Sequence, residues 1–114
     1  MNKNLTNPNS NSEFLIYTTA NGQSKLAVKL VDETVWLTQK QMAQLFGVTI
    51  PTINEHIKNI FNSGELDEKS VIRKFLITAT DNKKYPTNFY NLDAVISVGY
   101  RVNSQTATQF RIWA

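Results

Sequence analysis

The chain has 114 residues, of which 41% are apolar, enough for one domain with a modest core. It contains no cysteine, which excludes disulfide bonds, thiol chemistry and cysteine-ligated metals. No apolar run reaches the roughly 20 residues that span a bilayer, and the first residues lack the apolar stretch of a secretion signal, so we expect a cytoplasmic protein without a membrane partner. The net charge of +3 permits a nucleic-acid partner but does not identify one.

Residues 1–12 differ in composition from the rest of the chain. They are rich in asparagine and poor in apolar side chains. Such a segment cannot bury enough apolar area to offset the entropy lost on ordering. We therefore predict a disordered tail over 1–12 and one domain over 13–114. Because the chain ends directly after Trp113, within a helical pattern, we expect this domain to be a fragment of a longer protein.

The domain begins with strand patterns. Residues 13–19 are rich in β-forming types, and Asn21-Gly22 is a strong turn signal. Residues 25–31 alternate so that Leu26, Val28 and Leu30 share one face, which predicts a hairpin with one buried face. Residues 34–37 can add a third short strand, in which Trp36 is expected to be a core or covering residue.

Two helical patterns follow, separated by Gly47. Thr38 suits the N-cap of the first helix, and Gly47 can adopt the positive φ that ends it. Thr49 and Pro51 suit the start of the second helix, where a missing N–H does no harm. The second helix carries an apolar stripe at helical spacing. Its members are Ile53, Ile57, Ile60 and Phe61.

This pair of helices has the pattern of a DNA-binding helix-turn-helix. Ala43 and Gly47 are four residues apart, Val48 follows, and Ile53 comes five residues later, a spacing that lets two short helices cross steeply. The alternative is that two amphipathic helices joined by a glycine pack only as core.

A hairpin pattern comes next. Residues 71–78 and 85–90 read as strands, and the polar turn between them carries Lys83 and Lys84. Pro86 indicates an edge or a locally unpaired stretch. A hairpin directly after a helix-turn-helix resembles a wing, and its lysines suit phosphate contacts. Equally, lysines at a turn can simply be solvated.

The last pattern predicts two helices. Asn91 and Ser104 are candidate N-caps, and Gly99 indicates a close approach or a stop within the first helix. Phe110 and Trp113 fall on one side of the second. The order of patterns predicts an α+β fold: a winged helix-turn-helix-like domain with an N-terminal antiparallel β-hairpin or small sheet and C-terminal helices.

Several stretches of residues 13–114 resemble the RhuM family of bacterial virulence-associated proteins. They are 36–39 (WLTQ), 56–61 (HIKNIF), 90–104 (YNLDAVISVGYRVNS) and 108–114 (TQFRIWA). The resemblance implies a longer protein, and similar N-terminal modules of phage regulatory and antirepressor proteins are taken to bind DNA. It carries over no catalytic residues.

The residues offer little for catalysis. His56 is the only histidine and there is no cysteine, so a His/Cys metal site cannot be built. A nucleophile triad would need His56, but this residue falls on the flank of the second helix, where we expect a helix-packed or solvated histidine instead. The four glycines are scattered singly, which excludes a glycine-rich phosphate loop. The acidic groupings, Asp32 with Glu33 and Glu65 with Asp67 and Glu68, fall in turns and connectors, where solvation explains them better than acid–base catalysis. We therefore expect no enzyme, no metal, no cofactor and no small-molecule ligand.

The function that we expect is binding of duplex DNA, with the second helix of the pair in the major groove. Because this helix has no arginine, one copy should bind modestly, and a homodimer or further domain would supply the rest. The alternative is a protein–protein interaction or dimerisation module without nucleic-acid binding. The candidate nucleic-acid-binding residues are Thr49, Thr52, Asn54, Glu55, Lys58, Asn59, Lys83 and Lys84.

Overall fold

The computed structural model describes residues 13–19, 22 and 25–114. The predicted tail over 1–12 and Asn21 of the predicted turn lie outside the described residues. Gly22 has a φ of 73°, and its N–H donates to the carbonyl of Thr19 at 2.8 Å. The glycine of the predicted turn therefore does adopt a left-handed conformation.

The described residues form an α+β fold of five strands and five helices. In chain order these are β1 (Glu13–Thr18), β2 (Lys25–Val31), β3 (Thr34–Leu37), α1 (Gln39–Phe46), α2 (Ile50–Asn62), α3 (Glu68–Val71), β4 (Ile72–Thr78), β5 (Lys84–Asn91), α4 (Leu92–Val102) and α5 (Ser104–Trp113). None of these helices is both long and apolar enough to cross a bilayer.

All five strands belong to one antiparallel sheet, whose order is β1-β2-β3-β5-β4. We expected a small N-terminal sheet and a separate wing hairpin, but β3 and β5 join the two. The junction is short: Trp36 pairs with Asn91, and Leu37 pairs with Tyr90. Strand patterns along the chain could not show this pairing, because α1, α2 and α3 separate the two strands.

The short junction also explains how Pro86 is accommodated. Strand β5 lies between β3 and β4, yet β3 reaches only Tyr90 and Asn91. At Pro86 the described strands provide a partner on one side alone, where Leu76 of β4 lies opposite. A residue without an N–H is tolerated at such a position. The prediction that Pro86 marks a locally unpaired stretch is confirmed.

The main core lies between one face of the sheet and the helices. Leu26 and Val28 of β2 are buried there, as the alternation of β2 predicted, and Leu30 is half-buried against them. The helices α1, α2, α4 and α5 all contribute side chains to this core. The large side chains that are fully buried are Val28 and Leu37 of the strands and Met42, Ile53, Ile60, Val95, Val98 and Phe110 of the helices.

Local hydrogen bonds define the ends of α1 and α2. Thr38 accepts from the N–H of Gln41, and the Gln41 side chain accepts from the N–H of Thr38, which completes a capping box. Gly47 ends α1 with a φ of 72°, and Thr49 caps α2. Two helices joined by a tight turn at Gly47 are thus observed, as expected.

Asparagines cap the last two helices. Asn91 accepts from the N–H of Ala94 and begins α4, as predicted. Helix α5 is capped by Asn103, whose side chain accepts from the N–H of Thr106 at 3.1 Å. The predicted cap, Ser104, was wrong by one residue because Ser104 is already the first helical residue.

Gly99 lies where three helices meet. A Cβ at this position would stand 2.6 Å from the Cβ of Ala107 on α5 and 2.6 Å from the Phe46 ring on α1. The close approach is confirmed, and α4 continues past Gly99 to Val102. Tyr100, one residue further, is exposed, with the Arg111 guanidinium 5.8 Å from its ring centroid.

Candidate nucleic-acid interface

Helix α2 buries one side and exposes the other. Its N-terminal and central apolar residues, Ile53 and Ile57, pack into the core. Glu55, Lys58 and Asn59 are exposed, at positions i, i+3 and i+4 of the helix. These three predicted site residues therefore share one polar, solvent-facing surface, which we call the α2 face.

The threonines at the start of α2 are engaged with each other. The Thr49 hydroxyl accepts from the N–H of Thr52 at 3.3 Å, and the two hydroxyl oxygens lie 2.9 Å apart. This arrangement satisfies one N–H of the helix N-terminus. One hydroxyl hydrogen of the pair can still be donated to a ligand oxygen, because only one of the two is used between them.

Asn54 differs from the other residues predicted to contact bases, because its side chain is hydrogen-bonded to a residue of α1. Its side-chain oxygen accepts from Nε2 of Gln39 at 3.2 Å, and the same Nε2 donates to the Tyr90 hydroxyl at 3.0 Å. Asn54 is half-buried. It therefore ties α2 to the start of α1 and to the end of β5, and its oxygen is already occupied. Sequence reasoning missed Gln39 and Tyr90, since no local pattern links three such distant segments.

The turn between β4 and β5 is closed by its own contacts. The N–H of Ala79 donates to the carbonyl of Lys83 at 2.8 Å, and Asp81 accepts from the N–H of Lys83 at 2.9 Å. Asp81 also accepts from the Tyr85 hydroxyl at 2.6 Å. The side chains of Lys83 and Lys84 are exposed. This turn therefore presents two ammonium groups on a locally fixed backbone.

The charge of the turn is reduced by Asp81. The hydrogen bond from Tyr85, together with that from the N–H of Lys83, lowers the pKa of Asp81, so its carboxylate remains ionised near neutral pH. The same bond raises the pKa of Tyr85. Two lysines and one carboxylate leave one net positive charge at the turn. On the α2 face, Lys58 and Glu55 cancel in the same way.

Ile50 is a residue that sequence reasoning missed. It is the first residue of α2 and is one of the exposed large apolar side chains. An apolar group at the start of a helix in the major groove can contact the methyl group of thymine. The sequence could have pointed to Ile50, because this apolar residue stands at the start of α2 but before the apolar stripe, which begins at Ile53.

The described residues contain no group of three or more His, Asp or Glu side chains that could hold a metal ion. Together the α2 face and the β4–β5 turn offer hydroxyls, amides, three ammonium groups and the two carboxylates of Glu55 and Asp81. Such groups can form hydrogen bonds and ion pairs.

Comparison with known proteins gave one family match. The model described as "Virulence protein RhuM family" matches residues 70–114, which include β4, β5, α4 and α5. The predicted RhuM resemblance is confirmed over this segment. Neither the curated proteins nor the solved structures gave a match to the chain.

Proposed function

We propose that this chain, which carries the RhuM family match over residues 70–114, binds duplex DNA through the α2 face and the β4–β5 turn. The observation that carries the proposal is the α1–α2 pair. A left-handed Gly47 sets the turn, Ile53 and Ile57 bury the inner side of α2, and the polar side is exposed. A single exposed helix of this kind fits the width of the major groove.

Each exposed group has a role that its chemistry allows. Asn59 can bind adenine, and Glu55 can accept from the amino group of cytosine. Lys58 suits a phosphate, as does the hydroxyl pair of Thr49 and Thr52. Asn54 orients α2 through Gln39. Outside α2, Lys83 and Lys84 would contact phosphates beside the groove.

One copy of the chain should bind weakly. Lys58 is the only lysine or arginine of α2, and Glu55 beside it repels phosphate. If the three lysines each bind one phosphate, the plot of log affinity against log salt concentration should have a slope of about −0.9 for each contact. A homodimer or a further domain would add the rest of the affinity.

The proposal is tested by fluorescence anisotropy on random duplex DNA at low and high salt. The triple variant Lys58→Ala/Lys83→Ala/Lys84→Ala should lose most binding and flatten the salt dependence. The triple variant Lys25→Ala/Lys69→Ala/Arg111→Ala is the matched control, because it removes the same charge from exposed residues elsewhere.

Two results would count against the proposal. Equal loss in both triple variants would show that only net charge matters and that the α2 face is not the site. Undetectable binding at low salt would favour the alternative, a module that binds protein.

A further inference from the structure

The sheet has a second apolar cluster on the face that the helices do not cover. Its buried members are Val31, Trp36 and Phe89, with Phe75 half-buried against them. All four belong to strands, and no residue of the described helices takes part. We call this side of the sheet the open face.

Lys29 is buried at the centre of the open face. Only 4% of the residue is exposed, and the alternation of exposed and buried residues seen from Lys25 to Val28 stops at Lys29. Its Nζ lies 4.7 Å from the ring centroid of Phe75, 5.0 Å from that of Phe14 and 5.9 Å from that of Phe89. Three aromatic rings thus surround one ammonium group. The rings accept no strong hydrogen bond from the three N–H groups. Because no buried side-chain nitrogen or oxygen of the described residues lacks a hydrogen-bond partner, Nζ must keep a narrow opening to water, through which an acceptor could reach it.

No carboxylate of this chain neutralises Lys29. The nine acidic residues all lie within the described part, since 1–12, 20–21 and 23–24 contain neither aspartate nor glutamate. Salt bridges in the described part join Arg73 to Asp32 and Arg101 to Glu65. Arg73 also lies on the open face, with its guanidinium 4.8 Å from the Trp36 ring centroid. Its charge is already paired, because it forms the salt bridge with Asp32. Of the two cations that contact the aromatic cluster of this face, Lys29 is the one without a carboxylate partner.

Exposed apolar side chains lie beside the ammonium group. Phe14 and Ile16 alternate on β1 toward the open face and are 59% and 58% exposed. Ile77 and Tyr85, opposite one another on β4 and β5, are exposed on the same face. Exposed apolar groups in one patch mark an interaction site more often than a solvent surface.

We propose that the open face binds a peptide segment of another protein, in which a carboxylate pairs with Lys29 and apolar side chains pack on Phe14 and Ile16. Charge complementarity selects this partner, because a carboxylate supplies the hydrogen-bond acceptor that the aromatic rings lack. The Phe14 ring lies 5.0 Å from Nζ on the edge strand and is mostly exposed, so a change of its rotamer would widen the opening to Nζ.

Two other occupants fit less well. A second copy packed face to face would bury two Lys29 ammonium groups, while Asp32 on the same side is already paired with Arg73. A nucleic acid would need a row of exposed cations for its phosphates, but at this patch Lys29 is only 4% exposed and Arg73 is already paired with Asp32, although Phe14 and Tyr85 offer rings for stacking. The site lies on the sheet side opposite the main core, so the proposal does not depend on DNA binding.

The test is a selection of displayed random peptides on the wild-type chain, followed by binding measurements of the enriched peptides on the wild type and on the Lys29→Met variant. Methionine keeps the length and apolar packing of the side chain and removes its charge. Selected peptides should combine Asp or Glu with apolar residues. In fluorescence anisotropy they should bind Lys29→Met at least about tenfold more weakly than the wild type, which is the scale of one charged hydrogen bond. Lys40→Met, an exposed lysine on α1, is the matched control and should bind as the wild type does.

The opposite results overturn the proposal. They are failure to enrich any peptide, enrichment of peptides without acidic residues, and equal binding by Lys29→Met. Amide chemical-shift changes on peptide addition should map to β1 and β2, and changes confined to the helices would place the peptide elsewhere. A second variant, Ile16→Ser, should also weaken peptide binding. Because the Ile16 side chain is mostly exposed, this substitution should leave the fold intact, so it tests the site even if Lys29→Met does not fold. Concentration-dependent dimers in sedimentation that Ile16→Ser abolishes would assign the face to a second copy instead.

Discussion

Gly99 and Phe46 approach so closely that a Cβ on the glycine would stand 2.6 Å from the phenylalanine ring. The contact joins α4 to α1, and Ala107 of α5 stands at the same distance on another side. The three helices can pack at this spacing only because position 99 has no side chain. The glycine therefore belongs to the packing of the core.

Gly99→Ala should destabilise the domain. Alanine improves helix propensity by about 1 kcal/mol over glycine, but overpacking of this kind typically costs about 1–3 kcal/mol. We expect a net loss of about 1 kcal/mol in the free energy of unfolding, measured by chemical denaturation. Ile112→Ala, at an exposed residue of α5, is the comparison and should change stability little. A more stable Gly99→Ala variant would show that the ring of Phe46 yields without cost.

Gly47→Val should destabilise the domain through the backbone alone. Gly47 has a φ of 72°, where a β-branched residue is strained, yet a Cβ there would meet no atom within 4 Å. The expected cost is about 1–3 kcal/mol, the usual range for non-glycine residues held in sparsely populated backbone regions. Gly47→Asn tests the reason, because asparagine tolerates this conformation better and should lose less. If both variants lost the same stability in urea denaturation, steric contact would be the cause.

Asn54→Ala and Asn59→Ala should affect different properties. Asn54 accepts a hydrogen bond from Gln39 and is half-buried, so its removal should cost about 1 kcal/mol of stability. Asn59 is exposed, so its removal should leave stability unchanged within about 0.5 kcal/mol. If the proposed function is right, Asn59→Ala should instead change the preference among duplex sequences. Thermal unfolding and competition binding on the same two proteins separate the effects, and a stability loss in Asn59→Ala would contradict this assignment.

Lys29 should make stability depend on alkaline pH. Burial lowers the pKa of Lys29 in the folded protein from its ordinary value of 10.5. At pH values between the folded pKa and 10.5, the unfolded chain therefore binds more protons than the folded protein. The burial penalty is therefore fully present below the folded pKa and disappears as pH rises toward the ordinary value. The unfolding free energy of the wild type, minus that of Lys29→Met, should rise through this interval. The pair Arg73 and Asp32 is common to both proteins and cancels, as do the tyrosines. A flat difference would show that the ammonium group reaches water.

The sequence alone determined the features that depend on neighbours a few residues away. The Thr38 cap, the left-handed Gly47, the Asn91 cap and the two helices between them were predicted, because hydrogen bonds across one turn and a fixed helical period produce them. The family resemblance, confirmed over 70–114, was also visible in short stretches of residues.

The tertiary structure decided what lies between distant segments. Only the fold shows that β3 and β5 merge two predicted β units into one sheet, and that Gln39 occupies the oxygen of Asn54. Lys29 is the clearest case: alternation placed it on the polar side of β2, and a lysine there is expected in solvent. Phe14, Phe75 and Phe89 come from three other strands, so their approach depends on register and sheet order, which no periodicity within β2 contains.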